Sequence, residues 1–132
     1  MTKLNFSKPT ESELEILQIL WQNGPSSVRQ VNDQLNEKRS SKKQAGYTTT
    51  LKFMQIMLEK GFLSRDTSSR THIYTADINE TDTQQQLVNK FIDTTFRGSA
   101  MKLVMQALGN HKASQDELDE IKDLIKKMEN KQ

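Results

Sequence analysis

The sequence predicts a mainly α-helical fold with one small β-hairpin, and three observations carry that prediction. Apolar residues recur at helical spacing in three segments before Gly61, two short strand-like runs follow on either side of a polar tip, and further amphipathic segments fill the chain after Thr83. Three helices and then a hairpin is the element order of a winged helix-turn-helix domain. The expected division is a winged-helix domain over 1–79 and a helical dimerisation region over 80–132, with the polar stretch Asn79 to Thr83 at the junction.

Thr10 with Glu13 three residues on is a capping-box start, and Leu14, Ile16, Leu17, Leu20 and Trp21 continue the first helix to Asn23-Gly24-Pro25. Ser27 with Gln30 opens a second, shorter helix through Val28, Val31 and Leu35, and the polar run from Asn36 to Ala45 ends it. The third helix runs from Gly46 to Gly61, where the glycine suits a left-handed C-terminal cap. Its wheel places Tyr47, Leu51, Met54 and Leu58 on the core stripe and turns Thr48, Thr49, Lys52 and Ile56 outward. Phe62 to Arg65 and His72 to Thr75 read as the two strands, with Asp66 to Thr71 as the tip. Leu87, Val88, Phe91, Ile92 and Phe96 then make one helical stripe, broken at Arg97-Gly98-Ser99. Leu103, Val104, Ala107 and Leu108 make another. Ser114 with Glu117 caps a last helix carrying Leu118, Ile121, Leu124, Ile125 and Met128.

Composition narrows the function classes. Only 33% of the 132 residues are hydrophobic, so part of the chain is expected to complete its core with a partner. The absence of cysteine excludes structural disulfides and thiolate metal sites. No apolar run approaches the roughly 18 residues of a membrane span, and Met1 to Ser7 lacks a signal-peptide core, so a cytoplasmic protein is expected. The net charge of +2 says little, but between Lys38 and His72 eight basic residues face two acidic ones, a local charge of +6. From Thr81 onward the charges balance.

The third helix therefore reads as a recognition helix for double-stranded DNA. Three successive threonines favour a helix weakly, whereas short hydroxyls at a helix N-terminus suit phosphates and base edges. Thr48 and Thr49 are assigned to phosphate and one base edge, Lys52 to a guanine or phosphate, and Tyr47 either to the core or to a phosphate. Ile56 offers an apolar contact such as one with a thymine methyl. Lys42 and Lys43 add sequence-independent attraction ahead of the helix. Arg65 and Arg70 bracket the hairpin, Arg70 being the candidate for minor-groove or phosphate contact and Arg65 alternatively a brace for the wing. Leu87, Phe91, Ile92, Val104, Leu108, Leu118, Ile121, Ile125 and Met128 are the candidate dimer contacts, because no other long element remains to cover them.

Several of these segments resemble the penicillinase-repressor family, the BlaI/MecI group with copper-responsive repressors as relatives. The resemblance rests on Thr10-Glu-Ser-Glu-Leu-Glu-Ile-Leu-Gln-Ile-Leu-Trp21, Ser27-Val-Arg-Gln-Val31, Gly46-Tyr-Thr-Thr-Thr-Leu51, Leu58-Glu-Lys-Gly61, Gly98-Ser99 and Lys102-Leu-Val104. It implies a homodimeric winged-helix repressor on palindromic promoter operators, with the C-terminal helices intertwined. For the beta-lactam-responsive members it also implies a membrane sensor peptidase as partner and cleavage in the dimer module, usually at Asn-Phe. The corresponding positions here are Gln106 and Ala107, a departure from that pattern. A second departure is Gln55-Ile56 where many members carry Asn-Arg, which predicts a different operator sequence. The copper branch uses C-terminal cysteines, which this chain lacks.

An enzyme is not expected: there is no nucleophile elbow, phosphate loop or zinc-peptidase histidine pair. No cofactor or metal is expected either, since His72 and His111 are isolated from one another and from further ligands. A protein-interaction adaptor on the same fold is the alternative reading.

Overall fold

A computed structural model describes residues 8–110 and 112–131 of the chain. Met1 to Ser7 and His111, which entered the expectations above, lie outside the described residues. The elements are α1 (Glu11–Asn23), α2 (Val28–Glu37), α3 (Tyr47–Glu59), β1 (Leu63–Asp66), β2 (Ile73–Ala76), α4 (Glu80–Phe96), α5 (Ala100–Asn110) and α6 (Gln115–Asn130). The chain divides into two compact units, Met1–Leu87 and Val88–Gln132, so the division falls inside α4. The expected junction at 79/80 coincides instead with the start of that helix.

All three capping boxes form. The Thr10 hydroxyl accepts from the Glu13 amide at 3.2 Å while Glu13 Oε1 accepts from the Thr10 amide at 3.0 Å. Ser27 with Gln30 and Ser114 with Glu117 repeat the arrangement on α2 and α6. Asn79 caps α4, its Oδ1 accepting from the Asp82 amide at 2.9 Å. The polar residues expected at the junction are thus the cap and first turn of a helix.

In the first unit the core joins Ile16, Leu17 and Leu20 of α1, Val31 and Leu35 of α2, Met54 and Met57 of α3, and Phe62, Leu63 and Tyr74 from the hairpin. The hairpin pairs Leu63 with Ala76 and Arg65 with Tyr74, one residue later than expected at each strand start. Ser26 extends the sheet: its amide donates to Tyr74 O at 3.0 Å and its carbonyl accepts from the Tyr74 amide at 2.8 Å. That bridge fastens the entrance of α2 to the wing. Trp21 packs on the core edge and donates from Nε1 to Ile78 O at 3.0 Å, tying α1 to the segment after β2.

Gly61 has φ 85° and lets the Phe62 amide reach back to Met57 O at 2.9 Å, the left-handed cap that the sequence predicts. In the second unit the break between α4 and α5 is left-handed as well, with Arg97 at φ 52° and Gly98 at φ 85°.

The segment from Asn36 to Ala45 is not a plain polar loop. Asn36 pairs with Ala45 in both directions, Nδ2 donating to Ala45 O at 2.9 Å and Oδ1 accepting from the Ala45 amide at 2.7 Å. Gln44 donates from Nε2 to Asn36 O at 3.1 Å and Arg39 O at 3.2 Å, across a 3₁₀ turn at Ser41–Lys43. The Asn32 amide lies 2.6 Å from the Thr50 hydroxyl and, with its nitrogen turned inward, donates to Ala45 O and Gly46 O as well. Amides of α2 therefore fix where α3 begins. Asn36→Ala should cost about 2 kcal/mol by removing two part-buried hydrogen bonds, readable as a lower urea midpoint.

Candidate nucleic-acid interface

The buried stripe of α3 is Thr50, Met54 and Met57, with Leu51, Phe53 and Leu58 partly covered. This corrects the expected placement of Tyr47 on the core stripe. Tyr47 is 42% exposed because, as the first residue of α3, it overhangs the end of the core, and its ring instead carries the Arg29 guanidinium 5.2 Å from the ring centre. Thr50 takes the vacated place, its hydroxyl satisfied by Asn32, so it is a structural member of the threonine run.

The rest of the predicted face is outward. Thr48, Thr49, Lys52 and Ile56 are exposed and, with the edge of Phe53, line one shallow apolar-floored hollow. Gly46 brings no capping side chain to α3, and among the described residues no side chain accepts from its first-turn amides. Tyr47 and Arg70 belong to a second hollow, shared with Arg29, Asp33 and His72, between the start of α2, the start of α3 and the wing. Lys42 and Lys43 are exposed in the 3₁₀ turn before α3, and Arg65 is exposed on β1; none of the three lines either hollow.

Not all of the local positive charge faces outward freely. Lys60 Nζ meets the buried Glu13 carboxylate at 2.7 Å and Arg39 meets Glu15 at 2.9 Å, so α1 neutralises two of the eight basic residues. Among the described residues, Lys42, Lys43, Lys52, Arg65 and Arg70 pair with no carboxylate. The carboxylate-free cations accordingly lie on α3, on the 3₁₀ turn before it and on the wing.

At the wing tip the Ser68 amide donates to Asp66 Oδ1 at 2.9 Å, and this bond, then the Ser68 hydroxyl, holds the Asp66 carboxyl below its ordinary range. A lowered folded value means the contact helps at pH above the ordinary carboxylate range and is lost as pH falls through the folded value. At neutral pH Asp66 is therefore in the carboxylate form that accepts from Ser68. Sequence reasoning missed Arg29, Phe53 and the Asn36 clasp; only the amide-rich composition of residues 32–44 hinted at the last.

The second unit carries the other candidate set. Among its described residues none is buried; Phe91 is 48%, Val104 49%, Leu108 41%, Ile125 50% and Met128 58% exposed. Ile92, Leu118 and Ile121 are half-buried, as is Leu87 at the end of the first unit. Phe91 packs edge-on against Phe96 at 5.5 Å. Met101 and Met105, absent from the sequence-based set, are exposed on α5 and extend its stripe through Leu108 at helical spacing. Gln106 and Ala107 are exposed within α5 rather than at a junction.

No helix among the described residues is long and apolar enough to cross a membrane, and no described group of His, Asp and Glu is placed to hold a metal ion. The penicillinase repressor of Bacillus licheniformis is 21% identical over 122 residues, covering 92% of each chain. The methicillin resistance regulatory protein MecI of Mammaliicoccus sciuri is 21% identical over 118 residues, 89% of this chain and 93% of its own. The solution structure of the DNA-binding domain of the repressor BlaI aligns with a TM-score of 0.47 at 22% identity, over 55% of this chain and 84% of that one. The penicillinase repressor family model matches residues 9–127, and the chain belongs to that family.

Proposed function

We propose that this protein is a DNA-binding transcriptional repressor that occupies palindromic promoter operators as a homodimer. The observation that carries the reading is the outward face of α3: hydroxyls, a carboxylate-free lysine and an apolar edge on one exposed surface, on a helix whose position is fixed by α2. Membership in the penicillinase repressor family, with similarity to the penicillinase repressor of Bacillus licheniformis over 92% of the chain, supports it. The half-exposed apolar stripes of α4, α5 and α6 support the dimer, since covering the remaining half of each such side chain with a second copy contributes roughly 1 kcal/mol. Repression is then occlusion of the promoter by two linked reading heads.

Selection of bound duplexes from a random pool tests this. Enriched sequences should be inverted repeats bound by two chains, with affinity falling steeply with salt, by roughly 0.9 log units per log unit for each phosphate neutralised. Equal binding of all sequences, or none, would refute it.

Ile56 and Phe53 floor the hollow on α3 and offer no hydrogen bond, so the base step they meet is read through a methyl group. Replacing the thymine there by uracil, which lacks only that methyl, should weaken binding several-fold, and Ile56→Ala should abolish the difference between the two bases. A sensor peptidase acting at Gln106–Ala107, the partner that the family resemblance implies, would first have to unwind part of α5.

A further inference from the structure

Arg29 lies outside the hollow on α3, at an exposed position that does not suit a cation. It sits in the first turn of α2, where the helix dipole disfavours a cation; α1 and α6 begin instead with acidic residues. The Tyr47 ring holds its guanidinium at 5.2 Å, and among the described residues no carboxylate pairs with it. It lines an open cleft of about 630 Å³ that faces Arg70 and His72 of the wing.

We propose that this cleft is a docking site for one backbone phosphodiester of DNA, gripped by Arg29 from α2 and Arg70 from the wing. The site rests on the function proposed above and adds a second anchoring surface beside the base-reading hollow of α3. A guanidinium stacked on an aromatic ring keeps its N–H edge pre-oriented, so it binds two phosphate oxygens with little further ordering. The amides of the first turn of α2 favour the same charge. Asp33, one turn on from Arg29, lines the cleft as well and opposes an anion. It weakens the site without removing it, because two arginines face its single carboxylate.

The test measures binding of the full chain to a selected duplex from about 50 to about 200 mM salt. Arg29→Ala and Arg29→Gln should each weaken binding about tenfold and flatten the salt slope by about 0.9 per chain. Arg29→Lys should restore the slope but only part of the affinity, and Asp33→Asn should tighten binding. The exposed position of Arg29 means that unfolding does not confuse the comparison, and a thermal melt of each variant verifies this. Unchanged affinity and slope in Arg29→Ala and Arg29→Gln, with the unaltered chain still binding, would overturn the site and leave the repressor reading standing. Failure of the unaltered chain to bind duplex DNA would overturn both.

Discussion

A protein carrying Val104→Asp together with Ile125→Asp should be a monomer in solution and bind an inverted-repeat operator about two to four orders of magnitude more weakly. Both side chains are about half exposed in the single chain, 49% and 50%, so a carboxylate at either position costs the isolated subunit little. In a dimer that covers α5 and α6 the same carboxylates would be buried without a partner, which costs several kilocalories each. Losing the dimer then turns a linked second binding event back into an independent one. Sedimentation reads the mass, and a titration with operator DNA reads the affinity. A double variant that stays dimeric would show that these stripes are not the subunit interface.

Lys52→Ala should lower operator affinity by about 1–3 kcal/mol per reading head while leaving the dimer and the melting temperature unchanged. Lys52 lies on the exposed face of α3 and, unlike Lys60, has no carboxylate partner among the described residues. The two lysines thus make opposite predictions. Lys60→Met should lower stability, because it strands the buried Glu13 carboxylate, and should leave the salt slope of DNA binding alone. A flatter salt slope in Lys52→Ala would identify a phosphate as its contact, and lost discrimination at one base pair would identify a guanine. No effect of either kind would remove α3 from the reading surface.

Local signals were the legible part of the chain. Thr10 with Glu13, Ser27 with Gln30 and Ser114 with Glu117 mark their helix starts because a capping box is satisfied within four residues. Gly61 marks its helix end for the same reason. What depended on distant residues was harder to see. The periodicity of α3 fits a stripe through Tyr47 as well as one through Thr50, and the choice is made by where the core stops and by the amide of Asn32. Counting charges along the chain overstated the free basic surface, since Glu13 and Glu15 are far in sequence from Lys60 and Arg39.

The candidate site divides along the same line. Thr48, Thr49, Lys52 and Ile56 lie together as their spacing predicts, because separations of three and four residues put side chains on one helix face regardless of tertiary context. Arg29 escaped notice because its neighbours Tyr47 and Arg70 come from other elements, and only the fold brings them to one cleft. Asn79 to Thr83 is expected at the domain junction for its polarity, and the same polarity is what the cap and first turn of a helix recruit.

Whether two copies of α3 read two half-sites of one duplex is decided by changing the helical phase between them. Inserting about half a helical turn, roughly 5 base pairs, between the half-sites of a selected operator rotates one to the opposite side of the duplex. This insertion should abolish tight binding, and about 10 base pairs, a full turn, should partly restore it. Binding that is indifferent to the insertion would mean that each chain reads DNA alone and that the two heads are not linked on one operator.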